Sequence, residues 1–332
     1  MKIPNSPITG KPMRVIYELD TDQYRGEKYQ FIYISFLDDE SGESCTTTES
    51  DAVWYNQLTN QYREKHGIPY QDEIIALRKQ YGVSATKMSL ILGFGANQYR
   101  LYEDGEVPSE SNGKMIRSAS NPKVFLDLVH GSRHQLTEKE YNKICTHIQN
   151  IINTSVDYHK EQAETQMIYR RERGSVNGFA PQSSTRMRNL LLYILERLGD
   201  TFQTKMNKVL FYIDFLSYRE RGIAISGLAY QALDFGPVPL RWDRVYSAFD
   251  EIEQQPRLVR DQESIALTAT DSADMSHFSQ QEISIIDAVC DKLRNISAHD
   301  ISEMSHKEPA WRNHLHQSDT IPFSEAFSLV AV

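Results

Sequence analysis

Apolar residues recur at helical spacing over most of this chain and alternate only in short stretches, which predicts a mainly α-helical protein with small β elements. Alternation falls first in residues 14–19 and 29–37, the second run rich in Tyr, Phe and Ile, with a polar turn over 20–26. This reads as a small β-hairpin unit. Val53, Trp54, Leu58 and Tyr62 then repeat at helical spacing, predicting a helix over 49–66.

Residues 81–109, YGVSATKMSLILGFGANQYRLYEDGEVPS, are punctuated as two short helices about a glycine turn. Ser84 is placed to cap the first, whose apolar face is Met88, Leu90, Ile91 and Leu92. Gly93 and Gly95 bracket the turn, and 97–103 form the second helix. Helices over 72–80, 112–120 and 122–129 flank the pair. A short polar helix between packed ones suits major-groove reading, because the groove admits one helix whose first side chains reach base edges. An ordinary helical hairpin fits the same spacing.

Thr137 and Glu140 form a capping box ahead of a long polar stretch, 136–173, striped by Ile144, Ile148, Ile151, Ile152 and Val156. So thin a stripe fits either a helix pairing with a second copy or a connector packing on a neighbouring domain. Residues 174–184, GSVNGFAPQSS, read as a linker. A compact helical domain follows: 187–198 is amphipathic, and 205–219 is apolar almost all round, as a central core helix would be. Gly236-Pro237 breaks the chain, Pro239 precedes a helix expected to run to about residue 253, and 258–267 forms a short hairpin around Asp261-Gln262. Ser279 caps a helix over 282–293. The expected organisation is 1–68, a β unit plus helix; 69–130, the helix-turn-helix; 131–173, a connecting or dimerisation helix; 174–184, linker; 185–320, the helical domain; 321–332, a tail.

The formal charge of −9 is unevenly spread: −4 over 1–68, 0 over 69–130, +3 over 131–190 and −8 over 191–332. A neutral segment in an acidic chain is compatible with DNA contact, while the acidic C-terminal part fits a basic partner better than nucleic acid. No window approaches a membrane span and the polar start is no signal peptide, so a cytoplasmic protein with no membrane partner is expected. Cys45, Cys145 and Cys290 are too far apart in sequence for a CxxC metal pair or a disulfide framework.

Three ordered motifs give the C-terminal domain a family likeness. Asn207-Lys208-Val209-Leu210-Phe211-Tyr212, then Ala232 with Gly236-Pro237-Val238, then Ser305-His306 with Glu308 and Trp311, resemble the Panacea (SocA-like) antitoxin domain. The resemblance implies direct neutralisation of a cognate protein toxin, with Phe235, Gly236, Pro237, Val238, Trp242, His306, Glu308 and Trp311 as the candidate toxin-binding residues.

The N-terminal third resembles MqsA-like antitoxins through GFGANQYRLYEDGEVPS. Members of that family begin with a zinc ribbon built on two CxxC pairs. The corresponding positions here are Ser6, Thr9, Asp38 and Ser41, poor zinc ligands, so a degenerate ribbon kept without metal is expected. The family reads bases through an Asn and an Arg. Asn97 matches the first; Leu101 occupies the second, with Arg100 beside it. Asn97 equally fits a helix cap. Arg100 shares the Asn97 face, and Lys87, Gln98, Lys114 and Arg117 are the further DNA-binding candidates. Tyr102 reads as core.

His299, His306, His314 and His316 cluster near the end without a Cys or an ordered carboxylate pair, and no metal site is read from them. No P-loop, GxSxG or HExxH occurs, and no enzyme activity and no cofactor is expected. Together these features imply the antitoxin of a type II toxin-antitoxin pair that binds its toxin through the C-terminal domain and represses its own operon through the helix-turn-helix, as a homodimer if the operator DNA is palindromic. Two other readings fit: a phage or mobile-element repressor without a toxin, and a proteolytic adaptor delivering a bound toxin to a protease, with FSLVAV as a recognised terminus.

Overall fold

The structure, a computed structural model, describes residues 1–259, 262–315 and 319–332, with the backbone alone at 155–159, 259 and 262. The chain opens with β1 (Arg14–Tyr24), β2 (Glu27–Leu37), β3 (Ser44–Cys45) and α1 (Thr48–His66). Next come α2 (Gln71–Tyr81), α3 (Ala85–Ile91), α4 (Gln98–Glu103), α5 (Glu110–Ser118), α6 (Pro122–Gly131), α7 (Glu138–Asn153) and α8 (Ser155–Ile168). The C-terminal part holds α9 (Ser184–Leu198), β4 (Thr201–Phe202), α10 (Gln203–Arg221), β5 (Tyr230–Leu233), β6 (Gly236–Pro239) and α11 (Trp242–Ser247). It closes with β7 (Ile252–Val259), β8 (Gln262–Ala269), α12 (Gln280–Leu293), α13 (Ala298–Ser305) and α14 (Pro309–Arg312). The fold is mainly α with small β-sheets near each end, as the pattern predicts. No helix among the described residues is long and apolar enough to cross a membrane.

Two compact units form, and they do not follow sequence order: one is 59–160, the other joins 1–58 to 161–332. The expected division at 68 and the separate β domain are therefore replaced. Within the joined unit Tyr17 packs on Phe327 with ring centroids 5.5 Å apart, and Asn56 Nδ2 donates to the Arg221 carbonyl at 2.8 Å. These long-range contacts carry no local sequence signal.

In the 59–160 unit, α2 to α7 close on one core. Tyr81 stacks on Phe125 at 3.9 Å, and Ile74, Met88, Ile91, Tyr99, Tyr102, Ile116 and Val129 fill the space around them. Ile144 and Ile148 of α7 are buried in this same core. The stripe expected to seam a dimer or pack on another domain is thus used inside its own unit, where α7 packs on α6 and α2. Val156 falls where side chains are not described. Ser84 accepts from the Lys87 N–H and the Thr137–Glu140 box forms, as read from sequence.

The other unit is built around α10. Every residue from Met206 to Tyr218 is buried, which explains a helix with no polar face. Phe215, Tyr218 and Tyr230 surround Phe323 of the closing 3-10 turn, with Phe215 stacked on Phe323 at 4.6 Å and Phe211 packed on Phe215 and Tyr230. The segment 174–184 is packed rather than a free linker. Asn177, Phe179, Ala180 and Ser184 are buried, and a Cβ on Gly178 would lie 2.6 Å from Ala224 Cβ. Its small residues are there for close approach, a requirement that composition alone cannot separate from flexibility.

Two strand boundaries also differ from expectation. The first hairpin extends through the polar 20–24, turning on Arg25-Gly26, both at positive φ, as a two-residue turn requires. The helix after Pro239 is only α11, because β7 begins at Ile252 and pairs with β8; the hairpin tip around Asp261 lies outside the described residues.

Candidate functional site

The three C-terminal motifs converge on one place. On α10, Asn207, Lys208 and Tyr212 are buried along one face. Asn207 Oδ1 accepts the Tyr246 hydroxyl at 2.6 Å. Asp214, two residues further on, accepts from the Ile225 N–H at 2.9 Å, the Ser226 N–H at 2.7 Å, the Ser226 hydroxyl and the Tyr230 hydroxyl at 2.6 Å. Complete burial outweighs these bonds and holds its pKa above the ordinary carboxylate range. Asp214 thereby pins the chain entering β5 to the central helix. An Asp inside an otherwise apolar run was the visible signal of this role.

The β5–β6 hairpin pairs Leu233 with Gly236 across the two-residue turn Asp234-Phe235. Gly236 has φ +102, and a Cβ there would stand 2.4 Å from Ser305 Oγ and 2.7 Å from Lys208 Cε. Only glycine fits. The turn projects Phe235, 74% exposed, with Leu233 at 43% beside it. Trp311 donates its indole N–H to the Leu233 carbonyl at 2.7 Å and stacks on His306 at 4.2 Å. Glu308, fully buried, accepts the Val330 and Ala331 N–H groups at 2.9 and 3.0 Å.

The candidate toxin-binding residues therefore divide. Phe235 alone stands well out from the surface, and Trp242, His306 and Trp311 are half-buried. Gly236, Pro237, Val238 and Glu308 are buried, which corrects their reading as contact residues: they position the turn that carries Phe235. His314 pairs with Glu325 at 3.1 Å, and His316 lies outside the described residues.

The DNA candidates lie in the 59–160 unit. Asn97 occupies the N-cap position of α4 but makes no capping side-chain bond, so its exposed amide is not spent on the helix. Arg100 is exposed without a partner among the described residues, next to Leu101, 45% exposed. Lys114 is exposed on α5. Three others are engaged internally: Lys87 with Glu140 at 3.0 Å, Gln98 with Glu106 at 3.1 Å, and Arg117 with the Gly67 carbonyl. Tyr102 is buried and accepts from Asn112 at 2.8 Å.

The four positions matched to zinc ligands come together around a carboxylate. Ser6 and Thr9 donate to Asp38 Oδ2 at 2.6 and 2.9 Å, Ser41 donates to the same oxygen at 2.9 Å, and the Glu40 N–H donates to Oδ1 at 3.0 Å. These bonds, the Ser6 hydroxyl first, hold the Asp38 carboxyl far below its usual range. Residue chemistry at the four positions suits a hydrogen-bonded clasp and not a metal.

The C-terminal unit thus has the form of a helical domain wrapped on one apolar helix and presenting a braced aromatic hairpin. Residues 206–312 match the family described as antitoxin SocA-like, Panacea domain. The match begins within α10 and ends with α14, so it takes in all three converging motifs. No curated protein and no solved structure matches the chain.

Proposed function

We propose that this protein is a cytoplasmic antitoxin that neutralises a cognate protein toxin by direct binding through the Phe235 turn, without chemistry of its own. The observation that carries the reading is an exposed aromatic on a braced two-residue turn, inside the stretch similar to the Panacea domain. A rigid, solvent-facing aromatic is the kind of anchor that dominates binding energy at protein interfaces. Charge supports a division of labour. The joined unit holds 23 Lys and Arg against 34 Asp and Glu, and the 59–160 unit holds 13 against 11. The acidic unit is suited to a basic toxin, and the second unit, through Asn97 and Arg100, to operator DNA and autorepression. On a palindromic operator two copies would bind together.

Coexpression with the adjacent gene, scored by growth rescue and copurification, tests the assignment. Rescue by the full chain but not by a Phe235→Ala variant is expected. Rescue that is indifferent to Phe235 and is lost with Asn97 or Arg100 would overturn the division.

A further inference from the structure

Buried polar groups in folded proteins almost always have partners, because an unpaired one forfeits its hydration without compensation. Two side chains in the motif cluster, Lys208 and His306, stand out against this rule. The Lys208 ammonium, on a residue 1% exposed, has no hydrogen bond or ion pair among the described residues. His306 Nε2 is buried without a hydrogen-bond partner, whereas the Tyr212 hydroxyl, one turn along α10, faces the Glu308 carboxylate. Lys208 and Ser305 Oγ meet at Gly236, and the Ser305 hydroxyl itself donates to the Ser302 carbonyl at 2.8 Å.

The nearby carboxylates are committed elsewhere. Asp214 is saturated by the chain entering β5, and Glu308 is held by the Val330 and Ala331 N–H groups. A cation on a residue 1% exposed, with no counter-charge paired to it among the described residues, lacks an anion. The covering element is the turn whose tip is exposed.

We propose that Lys208 is the receptor for an external carboxylate, borne by the bound protein partner and met at the Leu233–Gly236 turn, with His306 as a hydrogen-bonding neighbour. The identity of the carrier rests on the reading of the Phe235 turn as the toxin-contact surface; the anion site itself does not. A carboxylate at this position explains why a lysine is kept where an apolar residue would pack at no electrostatic cost.

Burial pushes the Lys208 pKa down to about 8, with no nearby charge opposing it. Its folded pKa is thus below the unfolded value of about 10.4. Between those two values the unfolded chain binds more protons, so stability rises with pH across that window. A bound carboxylate raises the folded pKa and flattens the rise.

The test uses the full chain, wild type and Lys208→Met, with acetate as probe against chloride at equal ionic strength. Thermal unfolding of the wild type is expected to shift upward with acetate at pH 7. Lys208→Met should show no acetate response, should be at least as stable as wild type at pH 7, and should lose the stability gain between about pH 8 and pH 10. Lys208→Arg, read in parallel, keeps the cation and should keep the acetate response. With the coexpressed partner, Lys208→Met should weaken binding at least about tenfold, equivalent to about 1.4 kcal/mol. A less stable Lys208→Met, an acetate response equal in both proteins, or wild-type partner affinity in Lys208→Met overturns the proposal. Wild-type affinity in Phe235→Ala, with the acetate response intact, overturns the turn reading alone.

Discussion

Trp311 Nε1 donates to the Leu233 carbonyl at 2.7 Å, tying the last family motif to the hairpin that carries the exposed Phe235. One hydrogen bond thus links residues 78 positions apart and sets how firmly the tip is presented. Trp311→Phe keeps a ring to stack on His306 and deletes the donor. A stability loss of about 1 kcal/mol is expected by denaturant unfolding, with growth rescue weakened more than that loss explains. Unchanged rescue would show that the brace has no bearing on binding.

Phe235→Ala separates surface from core. At 74% exposure its removal should move stability by no more than about 0.5 kcal/mol, while partner affinity measured by calorimetry drops by about 2 kcal/mol or more. A large loss of Tm would instead assign Phe235 to the fold.

Gly236→Ala is expected to destabilise by at least about 2 kcal/mol, since the new Cβ meets Ser305 Oγ and Lys208 Cε and the backbone sits at φ +102. Circular-dichroism melting reads the effect. Gly95→Ala, where a Cβ meets nothing within 4 Å, is the contrasting variant.

Asp38→Asn removes the acceptor shared by Ser6, Thr9 and Ser41. Because the folded pKa of Asp38 lies below the unfolded one, its contribution is fully present above about pH 4 and lost as pH falls below it. The variant should be less stable at pH 7 and show a shallower acid limb than wild type. Equal acid limbs would mean the clasp contributes nothing to folding.

Operator binding is open to measurement as well. Asn97→Ala and Arg100→Ala should each weaken a gel shift on the upstream region by about 1–3 kcal/mol with relaxed sequence preference, whereas Lys114→Ala should weaken all sequences alike and reduce the salt slope. Arg117 and Lys87, tied to Gly67 and Glu140, should matter less.

Much of the local structure was legible without coordinates. The Ser84 cap, the Thr137–Glu140 box, the glycine turn before α4 and the all-apolar α10 follow from short-range rules of capping and periodicity. These rules concern residues within a turn or two of each other, which is why sequence alone states them. The candidate site was legible as three motifs, but not which of their residues face solvent. Val238 and Phe235 are both apolar neighbours of Gly236, and only strand pairing with β5 puts one inside and the other on the tip.

Short-range rules thus settled the mainly helical class, most of the helices and the motif residues of the C-terminal domain, but not the short strands β3 to β6. Tertiary structure alone decided that 1–58 packs with 161–332, that 174–184 is filled rather than free, and that α7 closes its own core. It also decided that Ser6, Thr9 and Ser41 converge on Asp38 and that Lys208 is buried with no counter-charge among the described residues. The reason is physical. Helix and turn preferences are set by near neighbours along the chain, whereas burial, pairing and the missing partner of a charge depend on which distant segments occupy the surrounding space.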